Sequence, residues 1–124
     1  MAVNTKMDER ENPGIIRNFG NLLEKLSSQV PDGMVCYFTS YRYMEHTIVK
    51  WNQMDILQRV LENKLIFIES KDPHETVIAL QNYKKACDNG RGALFFATAR
   101  GKISEGVTFA GHYARCVVVF GIPF

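Results

Sequence analysis

The stretch "LIFIESKDPHETVIALQNYKKACDNGRGALFFAT", residues 65–98, decides the fold because two apolar runs flank a complete helix signal. The runs at 65–69 and 93–98 are nearly continuous in apolar residues, not alternating. Such runs are typical of strands covered on both faces of a parallel sheet. A strand, a helix and a second strand in this order predict a parallel pair joined by a right-handed crossover.

The helix between these runs has both a start and a stop signal. Asp72 can cap it, Pro73 suits its first position, and Glu75 completes a pattern resembling a capping box. Asn89 and Gly90 follow the last helical residues and supply the stop. We therefore predict a helix that begins near residue 73 and ends before residue 90.

The same alternation extends over most of the chain. Two more β-rich runs occur at 34–38 and 116–120, and a helical pattern at 40–63 places Met44, Ile48 and Trp51 on one face. A further amphipathic helix precedes the first strand, and its predicted apolar stripe comprises Ile15, Phe19, Leu22, Leu23 and Leu26. The predicted fold is α/β, with a parallel sheet of about four strands flanked by helices.

Length and composition indicate one globular domain of 124 residues, of which 46% are hydrophobic and 23% charged. We expect residues 1–11 to form a flexible segment and residues 12–124 the domain. A net charge of +2 permits a nucleic-acid partner without arguing for one. No apolar run reaches the roughly 20 residues of a membrane helix, and the first residues lack the apolar core of a signal peptide. A soluble, intracellular protein with no membrane partner is predicted.

Cysteine usage points to the core. The three cysteines are scattered without metal-ligand spacing, which argues against a disulfide framework and a zinc site. We expect Cys36 and Cys116, which lie within apolar runs, to be small core residues. His46 and His74 are expected at the surface, and Trp51 and Tyr43 in the core.

The segment "ARGKISEGVTF", residues 99–109, follows the third predicted strand. It therefore belongs to the carboxyl edge of the sheet, where ligands bind in open parallel sheets. Two glycines and a lysine favour an anion such as phosphate, although a solvated connection fits the composition equally well. The residues are not a Walker A loop, because Ile103 follows Lys102 and Phe96 lies five residues before Gly101.

Two segments resemble a known family. "FATARGKISEGVTF", residues 96–109, resembles motif V of the iron–sulfur superfamily-2 DNA helicases, and "GMVCYFTSYRYME", residues 33–45, resembles their motif IV. Among these helicases, the pair His112–Tyr113 resembles the sequence of the XPD family. Local packing nevertheless explains these two residues better than a functional contact. The resemblance extends from about residue 13 to residue 124.

The resemblance implies a partial second RecA-like motor domain of an ATP-dependent 5′-to-3′ DNA helicase. The family acts in nucleotide excision repair and transcription initiation, in the nucleus, within a complex of the TFIIH type. ATP and Mg would be bound with groups from a first motor domain, and the 4Fe-4S cluster would belong to the parent enzyme only. Walker A, Walker B and motif VI are not in this sequence, so the isolated chain is expected to be inactive as an ATPase.

The resemblance also implies site residues, none of them catalytic or metal-binding. Those expected to bind single-stranded DNA are Thr39, Ser40, Tyr41, Arg42, Arg100, Lys102 and Ser104. Those expected at the nucleotide are Glu105, Gly106 and Thr108. Arg100 is as well explained by a structural ion pair. The family motif usually has aspartate where this chain has Thr108, which predicts a weakened or altered nucleotide site.

Two other functions compete with this interpretation. The chain could be a non-catalytic interaction module that docks on a subunit of a repair and transcription complex, in which case it would not bind DNA. A free-standing phosphate-binding enzyme is the weakest alternative, because no nucleophile–base pair or metal cluster is evident in the sequence.

Overall fold

The computed structural model describes residues 13–98 and 111–120, and within them a single all-parallel sheet. Its strands are β1 (Gly33–Phe38), β2 (Leu65–Ile68), β3 (Ala93–Thr98) and β4 (Cys116–Phe120). Their order across the sheet is β2-β3-β1-β4, so β1 and β3 are central. The predicted α/β class and four-stranded sheet are confirmed.

Helices cover both faces of this sheet. They are α1 (Pro13–Gln29), α2 (Tyr41–Gln53), α3 (Ile56–Asn63) and α4 (Pro73–Asp88), with a short 3-10 turn at Gly111–Tyr113. Helices α1, α2 and α3 pack on one face through a core that includes Met34, Cys36 and Phe38 of β1. Helix α4 packs on the other face, where Val35 of the same strand lies. The central strands β1 and β3 are buried on both faces, as continuous apolar runs predict. The prediction that the run at 65–69 is covered on both faces is wrong, because β2 is an edge strand and Leu65 and Ile68 are exposed.

The larger core is built around Trp51, which is fully buried as predicted. Its indole Nε1 donates a hydrogen bond of 2.8 Å to the carbonyl oxygen of Ile16 in α1. The ring lies 5.8 Å from Phe96 and 5.4 Å from Phe120, centroid to centroid. A Cβ at Gly20 would lie only 2.6 Å from the indole nitrogen, so glycine is what allows α1 to approach this closely.

The predicted stripe of α1 is partly wrong. Ile16 and Leu23 are buried, whereas Phe19 and Leu22 are 37% and 47% exposed. The reason is the contact at Gly20, because the line through Ile16, Gly20 and Leu23 faces the Trp51 side of the core. Periodicity alone could not locate this line, since a glycine carries no apolar signal.

The helical pattern at 40–63 forms two helices, not one. Helix α2 ends at Gln53 and α3 begins at Ile56. Between them Asp55 has a left-handed backbone with φ of 61°, which an α-helix cannot contain. Met44 and Trp51 of α2 and Ile56 and Val60 of α3 are buried against the same face of the sheet.

The cysteine predictions hold to different degrees. Cys36 is fully buried, as expected, and burial raises the pKa of its thiol well above the usual value. Cys116 is only half-buried because its strand is an edge of the described sheet. His46, expected at the surface, is also half-buried, and its Nε2 has no hydrogen-bond partner among the described residues.

No helix within residues 13–98 or 111–120 is both long and apolar enough to cross a membrane. The predicted flexible segment at 1–11 lies outside the described residues, and that prediction stands untested.

Candidate functional site

Three strands deliver polar residues to the carboxyl edge of the sheet. β1 ends at Phe38 before Thr39 and Ser40, β2 ends at Ile68 before Glu69, and β3 ends at Thr98. Since β3 lies between the other two, its last residue, Thr98, lies in the middle of this edge. The residues after β1 and β2 therefore flank Thr98.

Ser40 starts helix α2. Its backbone is extended, with φ of −151° and ψ of 157°, and its Oγ accepts a hydrogen bond of 3.1 Å from the backbone N–H of Tyr43. This is N-cap geometry, in which the side chain satisfies one of the donors left open by the first turn. The first turn of α2 contains no acidic residue, so the helix supplies no carboxylate of its own first turn to the positive end of its dipole.

Tyr41 is the aromatic residue of this edge. Its ring is half-buried, and the Nζ of Lys71, from the turn after β2, lies 5.0 Å from the ring centroid. Burial raises the pKa of Tyr41, with smaller contributions from the nearby carboxylates of Glu45, Glu69 and Glu75. Arg42 beside it is exposed. The arrangement presents an aromatic ring and two cationic side chains.

A buried carboxylate fixes the end of β3. Glu69 accepts a hydrogen bond of 3.0 Å at Oε1 from the backbone N–H of Thr98, and both its oxygens lie within 3.3 Å of the Thr98 hydroxyl. The two residues are 8% and 6% exposed. Glu69 thereby holds Thr98, the last residue of β3, in place. Glu69 was not among the predicted site residues, although an acidic residue closing an otherwise apolar run was a usable signal.

The turn between β2 and α4 is held by its own side chains. The Thr76 hydroxyl lies 2.9 Å from the Ser70 carbonyl oxygen and accepts from the Ser70 N–H at 3.0 Å. Asp72 caps α4, as predicted, by accepting from the N–H of His74 at 2.9 Å. These bonds fix the backbone on both sides of Lys71.

The predicted capping box of α4 is wrong in one partner. In a capping box the Glu75 side chain would accept from the N–H of Asp72. Here Ser70 Oγ accepts from that N–H at 3.1 Å, and Glu75 Oε2 instead receives the Ser70 hydroxyl at 3.4 Å. Ser70 takes this role because the turn folds back over the helix start.

The opposite, amino edge is arranged differently. His112 Nε2 lies 2.7 Å from Asp88 Oδ1, and the Tyr113 hydroxyl donates to the same carboxylate at 3.0 Å. The bonds from His112 and then Tyr113 lower the pKa of Asp88. Lys84 Nζ lies 5.4 Å from the Tyr113 ring centroid. These contacts agree with the prediction that His112 and Tyr113 serve local packing.

The predicted site residues divide into two groups. Thr39 and Ser40 connect β1 to α2, and Tyr41 and Arg42 are the first two residues of α2, so these four lie together. The remaining ones fall outside the described residues and stay predictions: Arg100, Lys102, Ser104, Glu105, Gly106 and Thr108.

Sequence comparison assigns the chain to a family. Residues 23–124 match the model of the helicase C-terminal domain. The chain is 52% identical over its whole length to the general transcription and DNA repair factor IIH helicase subunit XPD of Dictyostelium discoideum, of which it covers 16%. It is equally similar to the Arabidopsis thaliana protein of that name, at 52% identity and 16% of its length.

A more distant relative is the human ATP-dependent DNA helicase DDX11, at 37% identity over 94% of the chain and 13% of that protein. The chain thus spans about one sixth of the XPD relatives, 16% of their length. The chain belongs to the helicase C-terminal domain family, where its relatives include helicase subunits of the XPD type.

Proposed function

We propose that this chain works as part of an ATP-dependent DNA helicase and supplies the carboxyl edge of its sheet to single-stranded DNA. The observation that carries this is the contact of Lys71 with the Tyr41 ring, next to the exposed Arg42, at the edge of the sheet where β3 ends. The resemblance assigns motif V to the segment that follows β3. The names of the relatives, XPD and DDX11 helicases, support the same activity.

The proposed DNA contacts are of two kinds. Ser40 and Arg42, with Thr39 and the motif V residues Arg100, Lys102 and Ser104, would hold phosphates. The Tyr41 ring would stack on a base, which contributes roughly 1–3 kcal/mol per base in single-strand binding. Neither kind of contact reads sequence, which suits an enzyme that moves along DNA of any sequence.

The nucleotide side of the proposal rests on Glu105, Gly106 and Thr108. ATP with Mg would bind between this domain and a first motor domain, and its hydrolysis would drive movement in the 5′-to-3′ direction. Thr108 has a hydroxyl but no charge where the family usually has a carboxylate, so we expect slower turnover of ATP. A 4Fe-4S cluster would lie elsewhere in the whole enzyme.

The cellular setting follows from the relatives. The XPD proteins are named as subunits of a general transcription and DNA repair factor. We therefore propose that the whole protein acts in the nucleus, in nucleotide excision repair and transcription initiation, within a TFIIH-type complex.

The test is fluorescence anisotropy with labelled single-stranded DNA over a series of salt concentrations. We expect binding that weakens as salt rises, a smaller salt slope for Lys102→Ala, and weaker binding for Tyr41→Ala. Lys25→Ala, at an exposed position on α1, serves as the control. Absence of binding at low salt would reject the proposal for this chain.

One observation favours a second function, the non-catalytic interaction module. Val117 and Val119 of the edge strand β4 are 54% and 51% exposed, on the face of the sheet opposite α1, α2 and α3. A subunit of the same complex could cover them. Val119→Lys should then abolish capture by that complex, and the wild-type chain should not bind DNA in the anisotropy assay. Capture that survives Val119→Lys would reject the module.

A further inference from the structure

Lys71 makes a contact between segments that follow two strands separated by a third strand. Its Nζ lies 5.0 Å from the centroid of the Tyr41 ring. Lys71 follows β2 and Tyr41 follows β1, yet these strands are not neighbours, because β3 lies between them. With adjacent strands about 4.8 Å apart, the pair reaches across about 10 Å of sheet edge. It therefore spans the carboxyl end of β3.

The position of Lys71 is fixed although its side chain is exposed. Ser70 and Thr76 bond to each other on one side, and Asp72 caps α4 on the other. Asp72, the nearest carboxylate in sequence, accepts from the N–H of His74. Within residues 13–98 and 111–120, Lys71 is in none of the salt bridges. A cation held only against an aromatic ring can exchange that ring for an anion.

We propose that Lys71 is a further binding residue for single-stranded nucleic acid, contacting a backbone phosphate next to the base that stacks on Tyr41. The inference rests on the proposed function and extends its surface from β1 to the turn after β2. Single-strand sites combine an aromatic platform with cations that follow the backbone. Tyr41 and Lys71 supply one of each at contact distance.

The same domain contains a matched control. Lys84 lies over the ring of Tyr113 with its Nζ 5.4 Å from the centroid, nearly the distance of the Lys71 pair. This second pair is at the amino edge, and the Tyr113 hydroxyl is bonded to Asp88. Both lysines thus stack on tyrosine, but only Lys71 lies beside the predicted DNA contacts.

The experiment compares Lys71→Gln with Lys84→Gln by anisotropy on fluorescein-labelled oligothymidylate. Loss of one phosphate contact should reduce the log–log salt slope by about 0.7. At 0.1 M salt the same relation predicts about fivefold weaker binding. Lys71→Arg should restore both values, and Lys84→Gln should match wild type. Circular dichroism melting of each variant checks that the fold is kept.

The outcomes separate this inference from the function beneath it. If wild type binds and Tyr41→Ala weakens binding while Lys71→Gln does not, the inference about Lys71 is overturned and the proposed function stands. An equal effect of both glutamine variants also overturns it, because the loss would then reflect general charge. If wild type does not bind, both proposals fall.

Discussion

The two edges of the sheet use polar residues in opposite ways. At the amino edge, polar groups bind one another: Lys64 Nζ donates to the Asp32 carbonyl oxygen at 2.7 Å, and Arg115 pairs with the Asp32 carboxylate at 2.8 Å. Burial lowers the pKa of Lys64 there. At the carboxyl edge, Arg42 and Lys71 remain exposed. The contrast is that polar groups of the amino edge join elements of the domain, while the carboxyl edge leaves two cationic side chains exposed.

Gly33→Ala should break the amino edge most severely. A Cβ at this position would lie 2.5 Å from the Tyr83 hydroxyl and would also collide with the carbonyl of Tyr113. Overpacking of this kind costs about 3 kcal/mol of unfolding free energy, measurable by urea denaturation. Gly90→Ala is the control, since no atom lies within 4 Å and only its φ of +79° is penalised, by about 1 kcal/mol. Equal losses in both variants would contradict the role of Tyr83 and Tyr113.

Glu69→Ala should have the next largest effect, and it tests whether the carboxyl edge also contains a structural element. The buried N–H and hydroxyl of Thr98 would lose their acceptor, at a cost of about 2 kcal/mol in urea denaturation. Hydrogen exchange at the Thr98 amide should quicken. Glu69→Gln retains an acceptor oxygen and should restore most of the protection. Unchanged exchange in Glu69→Ala would show that this bond does not hold the end of β3.

Ser40→Ala sharpens the comparison within the candidate site. Loss of the cap on the Tyr43 N–H should cost about 1 kcal/mol of unfolding free energy. Ser28→Ala is the control, because Ser28 is an exposed serine near the end of α1 whose hydroxyl donates to the carbonyl oxygen of Lys25 and caps no helix start. A larger loss at Ser28 than at Ser40 would contradict the capping role.

Loss of the Asp88 contacts in acid should have the smallest effect on stability among these predictions. The folded-state pKa of Asp88 is lowered, so its contribution is present above the unfolded value, near 3.9, and is lost as pH falls through the folded value. We expect the stability difference between wild type and Asp88→Asn to shrink as pH falls below about 4. Urea titrations at several pH values measure it, and a difference that grew in acid would reverse the sign.

The strands and α4 could be predicted because their signals are local. The central strands, buried on both faces, appear as apolar runs. Asp72, Pro73 and Asn89 mark the start and the end of α4. Ser40 and Tyr41 were named as site residues through motif resemblance, and that role stays a prediction. These features depend on neighbours in sequence, so a single chain reveals them.

The missed features depend on contacts between distant residues. Glu69 and Thr98 are 29 positions apart in the sequence. Trp51 and Ile16, which are joined by the indole hydrogen bond, are 35 positions apart. Lys71 meets Tyr41 only because of the strand order. The break between α2 and α3 at Asp55 was not predicted, because the apolar residues on both sides of it keep helical spacing. Periodicity could not tell which face of a helix is buried, and contacts between distant residues determine it.

The central place of β1 has a consequence for synthesis on the ribosome. β1 is translated first among the four strands but pairs with β3 and β4, the last two to be made. Paired residues of β1 and β3, such as Gly33 and Ala93, are 60 positions apart in the sequence. At a synthesis rate of about 5–20 residues per second, β1 therefore has no strand partner for about 3–12 seconds. Limited proteolysis of stalled nascent chains should find β1 protected only after β3 has emerged. Its sequence GMVCYF is uncharged and apolar, the composition that stacks into cross-β aggregates. Nascent chains of this domain should therefore need a chaperone most in that interval.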